Sequence, residues 1–298
     1  MLLQGPCKLS RWVLSVAVGA WGLALLGAPL ANAESIQDHD FRTSDGVRLH
    51  YLEAGQGEPT LVFVPGWLMP ARIFEGQLAS LSERHRVVVL DPRSQGQSEL
   101  FAGPHTAARR AADIAEFVKH IKPQTFVLVG WSLGVMESLD YVERTRPQEL
   151  RGLVLVDNSI GEASPPRPAA ATNGPPTQPQ TRTQKMLAFA RGLFASPPSG
   201  DLLRTVEESV LRVPPAVAAE LLAKPYPREY YKEAIYRAQV PVLYAIRPRF
   251  ADQGAALTAH LSTARVTIYP SAGHALFVDA VQDFNADVER FLDELPRS

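Results

Sequence analysis

The chain has 298 residues, 46% of them hydrophobic and 20% charged, with a formal net charge of -1. That is an ordinary globular balance, enough for one sizeable core, and it offers no strong field to nucleic acid or to acidic lipid. A single cysteine, Cys7, excludes an intramolecular disulfide. Because it lies in a segment read below as removed, a cysteine zinc site and a cysteine nucleophile are excluded as well.

Residues 1–33 read as a secretory signal. Lys8 and Arg11 precede an uncharged apolar run from Trp12 to Leu30, and Ala31-Asn32-Ala33 forms a small-x-small cleavage site. The competing reading is an uncleaved anchor over residues 12–30, at the edge of spanning length. The expectation is a periplasmic or secreted domain with no obligate membrane contact once the signal is cut. A domain without thiols suits an oxidising compartment.

After the signal, Asp45-Gly46 marks a turn between two short alternating stretches, which predicts a hairpin over 41–53. Leu61 to Val64 and Arg86 to Leu90 are short β-branched apolar runs, hence buried strands, with a helical stretch at 71–83 between them. Thr106 to His120 has a helical pattern, with Ala112, Ala115, Phe117 and Val118 on the predicted apolar face. Thr125 to Val129 is another buried strand, followed by Gly130-Trp131-Ser132-Leu133-Gly134 and a helix to about Arg146. Gly152 to Val156 is the next strand and ends at Asp157.

The pattern then breaks. Residues 161–179 are rich in Pro, Ala, Thr and Gly without a period, and four short helical stretches follow, divided by prolines. Residues 161–238 therefore read as a helical, Pro-rich lid inserted into a core made of 34–160 and 239–298. Met186, Leu187, Phe189, Leu193 and Phe194 give the insertion something apolar to cover. The strand pattern resumes at 241–246 and 265–269, each run followed by a helical stretch. Continuous apolar strands alternating with helices specify an α/β fold, a mostly parallel sheet covered on both faces.

The chemistry centres on Ser132. Glycine, any residue, serine, any residue, glycine between a strand and a helix is a nucleophile elbow. The sharp turn strains the serine backbone and lifts its hydroxyl clear of the sheet, and glycines on either side let neighbouring backbone pass. The helix N-terminus beside it favours an oxyanion. Serine needs a base to become a nucleophile, and histidine has the right pKa. His274, after Gly273 in a late loop behind a strand, is best placed of the seven histidines, and the others read as surface or capping groups. Two carboxylates compete to orient it: Asp157, directly at a strand end, and Asp252, several residues past the 241–246 strand. Asp157 ranks first. Asp279 is read as shaping the histidine loop. An oxyanion hole needs two donors aimed at one point, and the backbone N–H groups of Leu133 and Trp67 are placed for it.

With these motifs in view, the chain resembles the α/β-hydrolase superfamily over residues 40–296, apart from the insertion. The lidded esterases and non-haem chloroperoxidases are the branch it looks like. GWSLG at 130–134, PGW at 65–67, DPRSQGQS at 91–98 and GHALFVD at 273–279 carry the likeness. The resemblance implies Ser132 as nucleophile, His274 as base, Leu133 and Trp67 as oxyanion donors, and no cofactor or metal. It departs from the pattern where Arg249 stands near the usual position of the acid. Asp157 matches relatives whose acid follows the preceding strand. Serine at position 132 argues against dehalogenase and epoxide-hydrolase chemistry, which need a carboxylate there. The expected function is hydrolysis of a small to medium apolar carboxylic ester or related acyl substrate through an acyl-enzyme. The alternatives are a perhydrolase or haloperoxidase-like enzyme and a noncatalytic ligand-binding protein on the same fold. The last is motivated by Arg247 and Arg249 near the expected acid.

Overall fold

In the computed structural model the described residues are 1, 36–163, 180–223 and 225–296. Residues 2–33 of the expected signal segment and residues 164–179 of the Pro-rich stretch lie outside them. Eight strands form one sheet in the order β1-β2-β4-β3-β5-β6-β7-β8. They are β1 (Gln37–Arg42), β2 (Arg48–Ala54), β3 (Thr60–Val64), β4 (Val87–Leu90), β5 (Phe126–Trp131), β6 (Leu150–Val156), β7 (Val242–Ile246) and β8 (Ala264–Ile268). The pairs β1–β2 and β2–β4 are antiparallel, and β4, β3, β5, β6, β7 and β8 run parallel.

The strands from β3 to β7 are apolar on both faces because successive residues serve two separate cores. Leu61, Phe63, Val127, Val129, Val154 and Val156 face one layer. Val62, Val64, Leu128, Leu153, Leu155 and Tyr244 face the other. Each buried Val, Leu or Phe contributes about 1.5–3 kcal/mol. With both faces apolar, hydrophobicity alone does not set the strand register. The strand ends supply that information. Ser132 N–H donates to Val156 O at 3.0 Å and Asp157 N–H to Ala245 O at 2.9 Å, which aligns the ends of β5, β6 and β7.

Helices cover both faces: α1 (Glu75–Leu81), α2 (Ala107–Ile121), α3 (Leu133–Thr145), α4 (Arg182–Arg191), α5 (Gly200–Arg212), α6 (Pro215–Leu221), α7 (Arg228–Ala238), α8 (Ala251–His260), α9 (Leu276–Asp279) and α10 (Val281–Asp293). α4 to α7 lie between β6 and β7, and they divide. Ala190, Leu193, Val206, Val210 and Leu221 join the core of α1, α9 and α10. Tyr231, Ala234 and Ile235 of α7 join the core of α2 and α3 on the opposite face. Tyr230 Oη donates to Asp140 of α3 at 2.5 Å.

One local expectation is extended and another is corrected. The buried face of α2 is Ala111, Ile114, Phe117 and Ile121, with Arg110 and Asp113 buried among them; the expected Ala115 and Val118 pack half-buried against the same core, and Ala112 is half-buried. Ion pairs turn the helix: buried Arg93 donates to Asp113 at 2.7 and 2.8 Å, and Arg110 to Glu137 of α3 at 2.6 Å. The surface reading also fails for His50, His85 and His105, all of which are buried. His50 Nδ1 meets Asp91 at 2.7 Å and His105 Nε2 meets Ser94 Oγ at 2.8 Å. The DPRSQGQS segment is thus bonded into the body: Asp91 also accepts from Gln97 N–H at 2.8 Å.

Candidate active site

Ser132 and Asp157 stand at strand ends, and His274 stands on the loop between β8 and α9. Ser132 links β5 to α3 with φ 54° and ψ -119°, a region that L-residues rarely adopt. The turn is possible because α3 starts flush against β3. A Cβ on Gly134 would lie 2.1 Å from Val64 O, so only glycine fits. A second close approach comes from Gly66, where a Cβ would sit 3.0 Å from Ser132 Cβ. Trp67 follows directly. Asn158 Nδ2 donates to Ser132 O at 2.6 Å and braces the strained residue from the end of β6.

His274 lies between β8 and α9. Its Nε2 is 2.8 Å from Ser132 Oγ, and its Nδ1 is 2.6 Å from Asp157 Oδ2. The loop that carries it is fixed at both ends. Asp279 accepts from Gly273 N–H at 2.7 Å, and Trp131 Nε1–H donates to His274 O at 2.9 Å. The Trp131 ring, itself buried, lies 5.2 Å from the imidazole. Asp157 has a left-handed backbone, φ 46°, and a fully buried carboxylate. That carboxylate takes two further donors from Arg247: the backbone N–H at 3.0 Å on Oδ1 and Nε–H at 2.7 Å on Oδ2. Beside it, Tyr244 Oη donates to Asn158 O at 2.7 Å. Burial, helped by the Asp157 charge, pushes the Tyr244 phenol well above its ordinary range, so it stays a donor.

The structure therefore brings Ser132, His274 and Asp157 into one hydrogen-bonded chain. Asp252 is exposed in the first turn of α8 and stands outside it. Arg249 is exposed, with its guanidinium 5.1 Å from the Phe250 ring. Leu133 opens α3 next to the serine, and Trp67 is brought up by Gly66. The Trp67 ring is turned to the inserted helices: its Nε1–H donates to Ala218 O of α6 at 2.8 Å, and Phe189 of α4 packs edge-on at 5.1 Å. The loop after α4 reaches the histidine loop, since Ala275 N–H donates to Leu193 O at 2.8 Å and Ala195 N–H to Asp279 at 2.9 Å. Among the described residues no cluster of three or more His, Cys, Asp or Glu could hold a metal ion, and no helix is long and apolar enough to cross a membrane.

Asn158 and Arg247 were not picked out as parts of the site by sequence reasoning. A signal for Arg247 exists. It directly follows β7 as Asp157 directly follows β6, and β6 and β7 are neighbouring parallel strands with Val156 opposite Ala245. Opposite charges at the ends of adjacent parallel strands meet.

Fold and site together define a hydrolase. The chain belongs to the alpha/beta hydrolase family, whose profile matches residues 61–287. It is similar to a non-haem chloroperoxidase of Streptomyces lividans, 34% identical over 117 residues, 38% of this chain and 42% of that protein. It is also similar to a pimeloyl-[acyl-carrier protein] methyl ester esterase of Nitrosomonas europaea, 26% identical over 255 residues, 79% of this chain and 96% of that one. Several curated relatives, the chloroperoxidase among them, are matched over less than half of their own length. An esterase structure from a Rhodococcus species shares the fold, with a TM-score of 0.72 at 22% identity over 88% of this chain and all of that one.

Proposed function

We propose that this hydrolase is a serine esterase that cleaves a small to medium apolar carboxylic ester, or a related acyl substrate, through an acyl-enzyme. The observation that carries the reading is the chain of bonds from Ser132 Oγ through His274 to Asp157 on a strained elbow. His274 Nε2 takes the Ser132 proton as Oγ attacks the acyl carbonyl. The Asp157 carboxylate holds the other ring nitrogen protonated and stabilises the imidazolium. In this reading the tetrahedral oxyanion is received by the backbone N–H groups of Leu133 and Trp67. His274 then protonates the departing alkoxide. Water, deprotonated by the same nitrogen, attacks the acyl-enzyme and releases the acid and free Ser132. No metal or cofactor enters this sequence. The apolar surfaces of α4 to α6 near Trp67 support an apolar acyl group, and in this reading these helices act as the lid.

The test is hydrolysis of short p-nitrophenyl esters, run alongside fluorophosphonate labelling of the serine. Turnover and rapid labelling in the wild type, both abolished in Ser132→Ala, support the reading. Neither in the wild type would leave a ligand-binding protein on a hydrolase fold. The likeness to the chloroperoxidase favours one second reading, in which hydrogen peroxide instead of water attacks the acyl-enzyme and releases a peracid. Acyl turnover that rises steeply with peroxide and yields peracid would select it.

A further inference from the structure

Trp67 sits in a turn that its own sequence does not favour. Gly66 O accepts from Met69 N–H at 3.2 Å, Leu68 has φ 62° and Trp67 keeps a negative φ. That is a type II turn with Trp67 and Leu68 at its centre, and its second central position asks for glycine. Leucine stands there instead, fully buried. A left-handed leucine is strained, so something outside the turn must hold it. Relaxing Leu68 to a negative φ rotates the Trp67–Leu68 peptide.

The DPRSQGQS segment grips that peptide. Leu68 N–H donates to Oε1 of Gln95, a fully buried side chain whose Nε2 has no partner among the described residues. A backbone N–H can only donate, so the amide oxygen has to face Leu68 and the amino group is left over. The segment that presents Gln95 is itself fixed. Asp91 accepts from Ala71 N–H at 2.5 Å and from Gln97 N–H at 2.8 Å, and a Cβ on Gly96 would lie 1.8 Å from Asp91 Oδ1. Residues 91–98 thus hold the chain leaving β3 at residue 68 and again at residue 71. Ser209 of α5 also reaches the turn, donating to Leu68 O at 2.7 Å, but that oxygen belongs to the next peptide.

We infer that Gln95 is a positioning residue for the oxyanion hole: it holds the 66–69 turn in the form that presents the Trp67 N–H, in place of the glycine such a turn would otherwise need. The inference rests on the functional reading above, in which that N–H receives the oxyanion. The turn is already close to the nucleophile, since a Cβ on Gly66 would sit 3.0 Å from Ser132 Cβ. A small displacement of a donor there is felt in the transition state and hardly at all in ground-state binding.

The test compares the wild type, Gln95→Met, Gln95→Leu, Ser209→Ala and the double variant Gln95→Met/Leu68→Gly. Each is assayed on one short p-nitrophenyl ester and for inhibition by an alkyl trifluoromethyl ketone. The ketone adds Ser132 and places an oxyanion where the tetrahedral intermediate has one, so its Ki reports on the hole. In Gln95→Met, kcat falls about 10–100-fold with KM within about twofold, and the ketone Ki rises by the same factor as kcat/KM falls. Gln95→Leu behaves alike, and either variant suffices if the other does not fold. Ser209→Ala stays within about threefold of the wild type, as a contact to the unrotated peptide should. Glycine adopts the left-handed backbone unaided, so the double variant recovers at least about tenfold of the lost kcat. It does so with a lower Tm than Gln95→Met, because a buried side chain is gone. A purely structural Gln95 predicts the reverse, a second loss on top of the first. An unchanged ketone Ki in a folded Gln95 variant, a loss no larger than that of Ser209→Ala, or no recovery in a folded double variant overturns the inference and leaves the esterase reading standing. A wild type with neither turnover nor serine labelling overturns both.

Discussion

The strand-end loops of the sheet and the helices inserted between β6 and β7 are held by different means. At the strand ends, strain and redundancy go together. Ser132 and Asp157 both sit at positive φ, 54° and 46°. Each such residue costs about 1–3 kcal/mol and persists only where its surroundings over-determine it. Here they do: Ser132 is tied by its N–H to Val156 and by its carbonyl to Asn158, and Asp157 by its N–H to Ala245 and by its carboxylate to Arg247 and His274. The inserted helices instead join the body through apolar packing and scattered polar contacts. Examples are Trp67 to Ala218 at 2.8 Å, Ser209 to Leu68 O at 2.7 Å and Arg212 to Ser98 O at 2.7 Å. The hydrogen-bonded Ser132–His274–Asp157 chain is set where the backbone is over-determined. Cover is set where residues are exchangeable, which is how one fold hosts many substrates.

The sharpest way to break this comparison is at the acid. Asp157→Asn keeps the shape of the side chain but lets the imidazole settle in the wrong tautomer. We expect kcat to fall about 10³–10⁴-fold with KM nearly unchanged. Asp252→Asn stays within about twofold of the wild type, as surface substitutions do. Steady-state kinetics on one ester distinguish the two, and the reverse pattern would move the acid to α8. Changes in the cover have smaller effects of a different kind. Phe189→Ala, which empties the edge of Trp67, raises KM for longer acyl chains about 3–10-fold and leaves kcat for acetate esters within about threefold, because a pocket contact discriminates by only a few kcal/mol. A kcat loss as large as that of Asp157→Asn would mean that α4 belongs to the machinery and the two regions are not separable.

The unequal legibility of the two regions in sequence has the same origin. The β5 run, the GWSLG turn and the strand-terminal Asp157 were readable because each is a local pattern: a buried strand, a steric demand on two glycines, a carboxylate at a fixed place in its element. His274 was readable from its position after a late strand. What could not be read lay between elements. Arg247 is 90 residues from Asp157 in sequence, and only the pairing of β6 with β7 tells that its charge is spent there. The α2 face was read only in part for a related reason. Periodicity reports apolar positions, while Arg110 and Asp113 are buried by partners on α3 and in the 91–98 segment. The buried His50 and His105 likewise belong to pairings that sequence distance conceals.

Those two histidines carry the finest test, because one belongs to the sheet and the other latches the inserted helices. His50 on β2 lies between Asp91 at 2.7 Å and Asp38 at 3.1 Å. Burial pulls its pKa down, but the two carboxylates outweigh burial and the net shift is upward from 6.5. Its folded form binds the proton more tightly than its unfolded form. The stability it adds is therefore full below about pH 6.5 and is lost as pH rises through its folded pKa. His105 is fully buried, and Glu220 of α6 reaches it twice, at 2.6 Å to its backbone N–H and 3.4 Å to Nδ1. Burial dominates there, Glu220 offsets only part of it, and the pKa falls below 6.5. Its contribution has the opposite sign: full above about pH 6.5 and lost as pH falls through its folded pKa. Thermal melts from pH 5 to 8 on the wild type, His50→Asn and His105→Asn read this directly. Relative to the wild type, the Tm deficit of His50→Asn grows toward acid and that of His105→Asn grows toward neutral, each by roughly 1–3 °C. Parallel deficits would show that the burial of His105 and the carboxylates around His50 do not change proton binding between the folded and unfolded chain in opposite directions.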